Sequence, residues 1–267
     1  MGELVFVGLG LHDENDVSLR GLEEVRKADF VFVELYTNLM KGLNIEKLEN
    51  LTGKKIVVVN RKMLEEENGR QILAVAKKGR TVFLVPGDPL IATTHVNLRI
   101  KAKKLGIKTH LVHGASIVSA AIGMSGLQNY KFGRSVTIPF TDGCIVSETP
   151  YNVVKTNLEA GLHTLCFLDV RAEEKRFMTI NEALETLLVT EKRRRESIIT
   201  YRTLVVGIAR AGSINPVVKA CLLGEALDYD FGGPPHTLVF PGKLHFVEAE
   251  ALIELTNAPE SVKKLIK

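Results

Sequence analysis

Apolar runs and amphipathic runs alternate through roughly the first 115 residues almost without interruption, and no other feature restricts the fold as much. "LVFVGLG" (4–10), "FVFVELY" (30–36), "KIVVVN" (55–60), "TVFLV" (81–85) and "KTHLVHG" (108–114) are short apolar stretches of strand type. Between them, "SLRGLEEVRKA" (18–28) carries Leu19, Leu22 and Val25 at helical spacing. "NIEKLENLTG" (44–53) and "QILAVAKKG" (71–79) read as helices with glycine stops, and "THVNLRIKAKKLG" (94–106) as a further helix. Such strands need cover on both faces, and intervening helices supply it. The pattern predicts βαβ units around a mostly parallel sheet.

The texture changes after a helix expected at "SIVSAAIGMSGL" (116–127). "SVTIPF" (135–140), "HTLCFLDV" (163–170), "TLVVGIAR" (203–210) and "HTLVFPGK" (236–243) are strands, with helices at 150–161, 179–194 and 244–258. Short links between some strands favour antiparallel pairing here. The expected architecture is therefore α/β with two α/β domains, residues 1–114 with a mostly parallel sheet and residues 115–267 with a mixed one.

Composition removes several function classes. No apolar run approaches the roughly 20 residues that span a bilayer. The stretch "MGELVFVGLG" enters a strand at once, so no signal peptide or membrane attachment is expected. Cys144, Cys166 and Cys221 are scattered and odd in number, which excludes a zinc site and a disulfide framework and points to a cytoplasmic protein. A net charge of +4 is too small to argue for nucleic acid. The one dense basic run, Lys192 to Arg195, reads first as a solvated helix end and second as a docking patch for an acidic partner.

Two loops follow strands in the first domain. In "VGLGLHDEND" (7–16), Gly8 and Gly10 permit a sharp turn, but Asp13 stands where a dinucleotide fingerprint needs its third glycine. Glu34 is placed to read a ribose, yet the acids of the loop would repel a pyrophosphate, so a nicotinamide enzyme is set aside. In "PGDPLIATTH" (86–95), Pro86 ends the strand, Gly87 allows an unusual backbone angle and Pro89 holds Asp88 extended. Thr93 or Thr94 is expected to cap the helix carrying His95. Ligands of open parallel sheets bind beyond the carboxyl ends of strands, where this loop lies.

Read in order, "VGLGL" (7–11), "PGDPLIATTH", "SIVSA" (116–120), "YKFGRS" (130–135), "GLHTLCFLD" (161–169), "ARAGS" (209–213) and "FGGPPHTLVFPGKLHFVEAE" (231–250) resemble the tetrapyrrole-methylase superfamily over nearly the whole chain. The resemblance implies an S-adenosyl-L-methionine-dependent methyltransferase with its cofactor in a cleft between two α/β domains. Carried across residue by residue, it assigns cofactor contacts to Leu11, Asp88, Ile91, Ser116, Ile117, Leu168, Ala211 and His236. It also implies a homodimer, and the scattered Cys and His residues leave no metal expected.

Within the superfamily the likeness is nearest to the enzymes that trimethylate the amino group of aminocarboxypropyl-histidine in elongation factor 2, in diphthamide biosynthesis. A small-molecule methyltransferase acting on a corrin or tetrapyrrole precursor shares fold and cofactor and is the alternative. A non-catalytic S-adenosylmethionine sensor is the second. No catalytic residue is assigned; His95, His113 and Asp169 are candidates to take a proton, each with a structural or capping role as the simpler explanation.

Overall fold

The computed structural model describes residues 2–141, 143 and 146–266. The chain divides into two units, the first running to Ile117 and including Arg171–Lys175, the second comprising Val118–Val170 and everything from Arg176 onward.

In the first unit, β1 (Glu3–Gly8), α1 (Leu19–Arg26), β2 (Phe30–Glu34), α2 (Ile45–Thr52), β3 (Ile56–Val59), α3 (Arg61–Glu65), α4 (Arg70–Ala76), β4 (Arg80–Val85), α5 (Val96–Lys104) and β5 (Lys108–Val112) follow one another. The five strands form one parallel sheet in the order β3-β2-β4-β1-β5. Alternation along each strand explains why every position is apolar. Val5, Val7, Val31, Val33, Val82 and Leu84 pack with Val25 of α1 and Leu48 of α2. Their neighbours Leu4, Phe6, Phe32, Phe83 and Val85 pack with Ile72 and Ala76 of α4 and Leu98 and Ala102 of α5. Each fully buried Phe or Leu is worth about 1.5–3 kcal/mol, so these two layers fix the sheet.

α6 (Ile117–Ser125) carries the chain onward to β6 (Val136–Ile138), α7 (Thr149–Glu159), β7 (Thr164–Leu168), the short ribbon β8 (Val170–Arg171) and β9 (Arg176–Phe177), and α8 (Ile180–Arg194). Then come β10 (Leu204–Ala209), β11 (Val217–Leu222), α9 (Leu223–Asp228), β12 (His236–Phe240) and α10 (Phe246–Thr256). The second sheet has the order β11-β10-β12-β7-β6, antiparallel except for the β6–β7 pair. Its core gathers Ile138, Tyr151, Leu184, Leu187, Phe231, Leu238 and Phe240. α8 starts at a capping box, in which Thr179 Oγ1 accepts from Glu182 N at 3.2 Å and Glu182 Oε2 accepts from Thr179 N at 2.8 Å.

Several local expectations change. Leu19 is 81% exposed, because Gly21 and Val25 mark the inward face of α1 and Leu19 lies about 120° around the helix from Val25. α4 ends at Ala76, before Gly79. Gly79 is needed for another reason: a Cβ there would stand 2.4 Å from Asp29 Oδ2. Neither Thr93 nor Thr94 caps α5; Thr93 Oγ1 donates to Pro89 O at 2.8 Å, and His95 occupies the cap position without a side-chain bond to the helix start. Strand β11 and helices α3 and α9 have no counterpart in the sequence reading. Cys166 and Cys221 are buried thiols, and Cys144 lies outside the described residues.

Candidate functional site

Strand order decides which loops of the first unit meet. β1 lies between β4 and β5, so the loops leaving those three strands converge at one end of the sheet. They touch backbone to backbone. Gly10 N donates to Gly87 O at 3.3 Å, and Gly87 N donates to Gly10 O at 2.7 Å. A Cβ on Gly8 would sit 2.5 Å from both Gly87 O and Gly114 N, so no larger residue fits without parting the loops. Five of the eight nominated residues, Leu11, Asp88, Ile91, Ser116 and Ile117, belong to these loops or to the start of α6.

The acids that argued against a pyrophosphate hold the first loop in shape. Asp16 Oδ2 accepts from Leu11 N at 3.0 Å and His12 N at 2.7 Å, and Asp13 Oδ1 accepts from Asn15 N at 2.9 Å. Glu14 is buried and accepts from Asn44 N. Burial by itself would raise its carboxyl, but the backbone donors and Lys47 outweigh it and lower it. Glu34 is fully buried in its own turn, accepting from Tyr36 N at 3.0 Å and Thr37 N at 3.1 Å, and lies 3.2 Å from His95 Nε2. It is therefore spent on structure.

Asp88 is 6% exposed and both its oxygens have partners. Oδ1 accepts from Leu90 N at 3.1 Å, the local turn expected of an aspartate before proline, and Oδ2 lies 2.7 Å from His113 Nδ1. The His113 ring is largely exposed, so it can move aside. Each carboxylate oxygen also keeps a second lone pair. Ile91 is exposed, whereas Ser116 and Ile117 are half-buried.

The other three nominated residues gather at one end of the second sheet. Leu168 closes β7, His236 opens β12 opposite Ala209, and Ala211 follows β10. Arg210 N donates to Pro235 O at 2.8 Å, joining the last two loops. The His236 ring is committed: Nδ1 accepts from Ile180 N at 3.2 Å and Nε2 donates to Gly232 O at 3.0 Å. Burial lowers its imidazole below the ordinary range, against the pull of the Gly232 carbonyl. Only the backbone at His236 remains for a ligand. Leu168 also belongs to the hydrophobic core.

Ser213 Oγ, two residues after Ala211, is buried without a hydrogen-bond partner. Such an orphan costs about 1–3 kcal/mol unless a ligand or water satisfies it. Sequence reading passed over it because serine in a Gly-containing loop carries no signal of burial.

Each of the three proton-acceptor candidates has a hydrogen-bond partner within the protein. Asp169 accepts from Phe140 N at 2.9 Å, His113 pairs with Asp88, and His95 pairs with Glu34. Two cations of the basic run at the end of α8 are answered by acids of the same unit. Arg193 and Arg194 both reach Glu148, Arg194 Nη2 lies 2.7 Å from Glu196, and the Arg194 guanidinium stacks over Tyr151. Among the described residues no group of three His, Cys, Asp or Glu side chains is placed to hold a metal, and no helix is long and apolar enough to cross a membrane.

The tetrapyrrole (corrin/porphyrin) methylase family pattern matches residues 3–226. The chain is similar to a diphthine synthase of Methanosarcina acetivorans, 52% identical over 264 residues that cover 97% of this chain and 98% of the relative. It is also similar to a diphthine synthase of Methanocaldococcus jannaschii, 48% identical over 251 residues covering 93% and 97%. A crystal structure of diphthine synthase superposes with a TM-score of 0.88 at 43% identity, over 98% of this chain and 99% of that one.

Proposed function

We propose, from the premise that the chain belongs to the tetrapyrrole methylase family and within it to the diphthine synthases, that it methylates the amino group of aminocarboxypropyl-histidine in elongation factor 2. The observation that carries this reading is the 52% identity to a diphthine synthase across almost the full length of both chains. The enzyme is a methyltransferase, and the reading makes S-adenosyl-L-methionine its methyl donor and elongation factor 2 its protein substrate.

Two observations fit that cofactor. The first is Gly87 in the strand-end loop, where a Cβ would meet nothing nearer than Ala115 O at 4.0 Å, so the backbone lies bare of side chains. The second is the orphaned Ser213 hydroxyl beside Ala211. In this reading Asp88 accepts a hydrogen bond from a hydroxyl or ammonium of the ligand through its free lone pairs. Leu11, whose amide is held by Asp16, offers its carbonyl and side chain. Ile91, Ile117 and Leu168 supply apolar surface, Ser116 stands at the start of α6, and the backbone at Ala211 and His236 reads a polar edge. When bound, the cofactor supplies a sulfonium-activated methyl group.

The protein's task is to hold the neutral acceptor amine in line with that methyl. Positioning alone accounts for about 7–11 kcal/mol of barrier in well-oriented reactions, so a dedicated base is not required. The reading is tested by intact mass of elongation factor 2 bearing the unmethylated arm, after incubation with enzyme and S-adenosylmethionine. Three added methyl groups, lost with Asp88→Ala, are expected. No added mass while the cofactor still binds by calorimetry would refute it and direct attention to small-molecule acceptors.

A further inference from the structure

α5 presents an outer face that nothing in the cofactor assignment uses. Its inward side is set by Leu98 and Ala102, which pack in the core beneath the sheet. At about 100° per residue, Val96 and Ile100 lie at the centre of the opposite side, and each is 47% exposed. Arg99 and Lys103 flank them on one side, Lys104 and Lys101 on the other. Lys108 follows on β5, exposed like Lys103 and Lys104.

These cations differ from Arg193 and Arg194 at the end of α8. Arg193 and Arg194 share Glu148, and Arg194 also pairs with Glu196. Arg99 instead meets a hydroxyl, Thr109 Oγ1 at 3.4 Å, and Lys101 meets the amide oxygen of Asn68. No carboxylate lies within ion-pair distance of Arg99, Lys101, Lys103, Lys104 or Lys108 among the described residues. A cleft of about 220 Å³ lies beside the face, lined in part by Asn68, Asn97 and Lys101 and by one acid, Glu65, beyond ion-pair distance of Lys101. It takes in none of the eight nominated cofactor contacts.

An exposed aliphatic pair ringed by unanswered positive charge is the composition of a protein–protein contact with a charged rim. The complementary surface is acidic with an apolar centre. The Asp88 loop immediately precedes α5 in the chain, and its Ile91 is 46% exposed. We infer that the outer face of α5, with Val96 and Ile100 at its centre and Arg99, Lys101, Lys103 and Lys104 around them, docks an acidic surface of the protein acceptor. The inference rests on the protein-methylating function proposed above. It assigns recognition of the acceptor's body to α5, apart from the loops that hold the cofactor.

The test compares steady-state kinetics of the wild type, the Lys103→Glu/Lys104→Glu double variant and Ile100→Ser. Arg20→Glu/Lys27→Glu on α1, across the sheet, is the charge-matched control. With elongation factor 2 bearing the unmethylated arm at about 50 mM salt, the double variant should raise the acceptor KM about tenfold. Its cofactor affinity and kcat should stay at wild-type values. The rise should shrink to about twofold at about 0.5 M salt, where exposed charges are screened. Ile100→Ser should raise the KM at both salt concentrations, and the α1 control at neither.

An unchanged acceptor KM in both α5 variants, with transfer intact, would overturn the docking assignment alone. Absence of methyl transfer by the wild type would overturn the function and the docking assignment together. Duplex RNA retained by the wild type and not by the lysine variant, with the protein KM unchanged, would give the face to nucleic acid and refute the proposal.

Discussion

Replacing Glu248 should weaken the second unit more than any exposed ion pair would. Its side chain is fully buried, yet it gathers donors from two distant segments and from the start of its own helix. Oε1 accepts from Gln128 N at 2.8 Å and lies 2.9 Å from His163 Nε2. Oε2 accepts from His245 N at 2.8 Å and from the Lys131 ammonium. His163 Nδ1 in turn accepts from Gly242 N at 2.8 Å, so the ring carries its proton on Nε2 and donates it to Glu248. Burial alone would raise this carboxyl, but the His245 amide, Lys131 and the Gln128 amide outweigh it and hold it at about 2, down from 4.5. At about 1.4 kcal/mol per unit, that difference is worth about 3 kcal/mol near neutral pH.

Glu248→Gln keeps one acceptor oxygen but turns an amide NH₂ toward donors and leaves Lys131 unanswered. The expected loss is about 3 kcal/mol, or roughly 6–12 °C in Tm for a protein of this size. Urea titrations followed by circular dichroism at pH 7 measure it. The pH dependence supplies a second signature. A carboxyl whose folded value is depressed gives stability that is complete above about 4.5 and disappears as pH falls toward about 2. That acid limb should be missing from the variant. His163 is also depressed, by burial, so the unfolded chain takes up its proton first and stability falls as pH drops below about 6.5. A variant within about 1 kcal/mol of wild type, or one with the wild-type slope between pH 4.5 and pH 2, would refute the reasoning.

Three further outcomes are expected. Gly8→Ala should lower stability by about 2–3 kcal/mol and abolish cofactor binding, because its methyl meets backbone at 2.5 Å on two sides; thermal unfolding and calorimetry report both. Asp88→Asn should keep the local turn but weaken cofactor binding about tenfold or more, since a charged acceptor becomes a neutral amide, and an unchanged Kd would oppose its assignment. His236→Ala removes an acceptor for Ile180 N and a donor to Gly232 O, for a loss of about 2 kcal/mol. The wild-type contribution at His236 should decline as pH falls below about 6.5, because burial depresses the folded value and protonating Nδ1 would set N–H against N–H.

Much of the fold was legible in the amino-acid order. Runs apolar at every position require cover on both faces, and they supplied all five strands of the first sheet with its parallel sense. The "GLGL" and "PGDP" loops could likewise be placed at strand ends. Periodicity failed where side chains gave no contrast, as at β11, whose "VVKACL" alternates neither cleanly nor for long. It failed again at Leu19, where Gly21 rather than the leucine marks the face that meets the sheet.

What the sequence determined by itself was local: which segments are strands or helices, where loops need glycine, and which ordered set of short stretches marks the family. Strand order was a tertiary decision, and it alone brings the loops after β1, β4 and β5 together across more than 100 residues of chain. Charge was the other. In the dense basic run at 192–195, Arg193 and Arg194 end in pairs with Glu148 and Glu196, while the sparser lysines of α5 meet no carboxylate among the described residues. Glu248 shows the same division: from sequence it is a helix-start glutamate, and only folding surrounds it with Gln128, Lys131 and His163. The physical reason is that composition counts charges, whereas Coulomb and hydrogen-bond energies depend on distance and burial, which exist only once the chain has closed on itself.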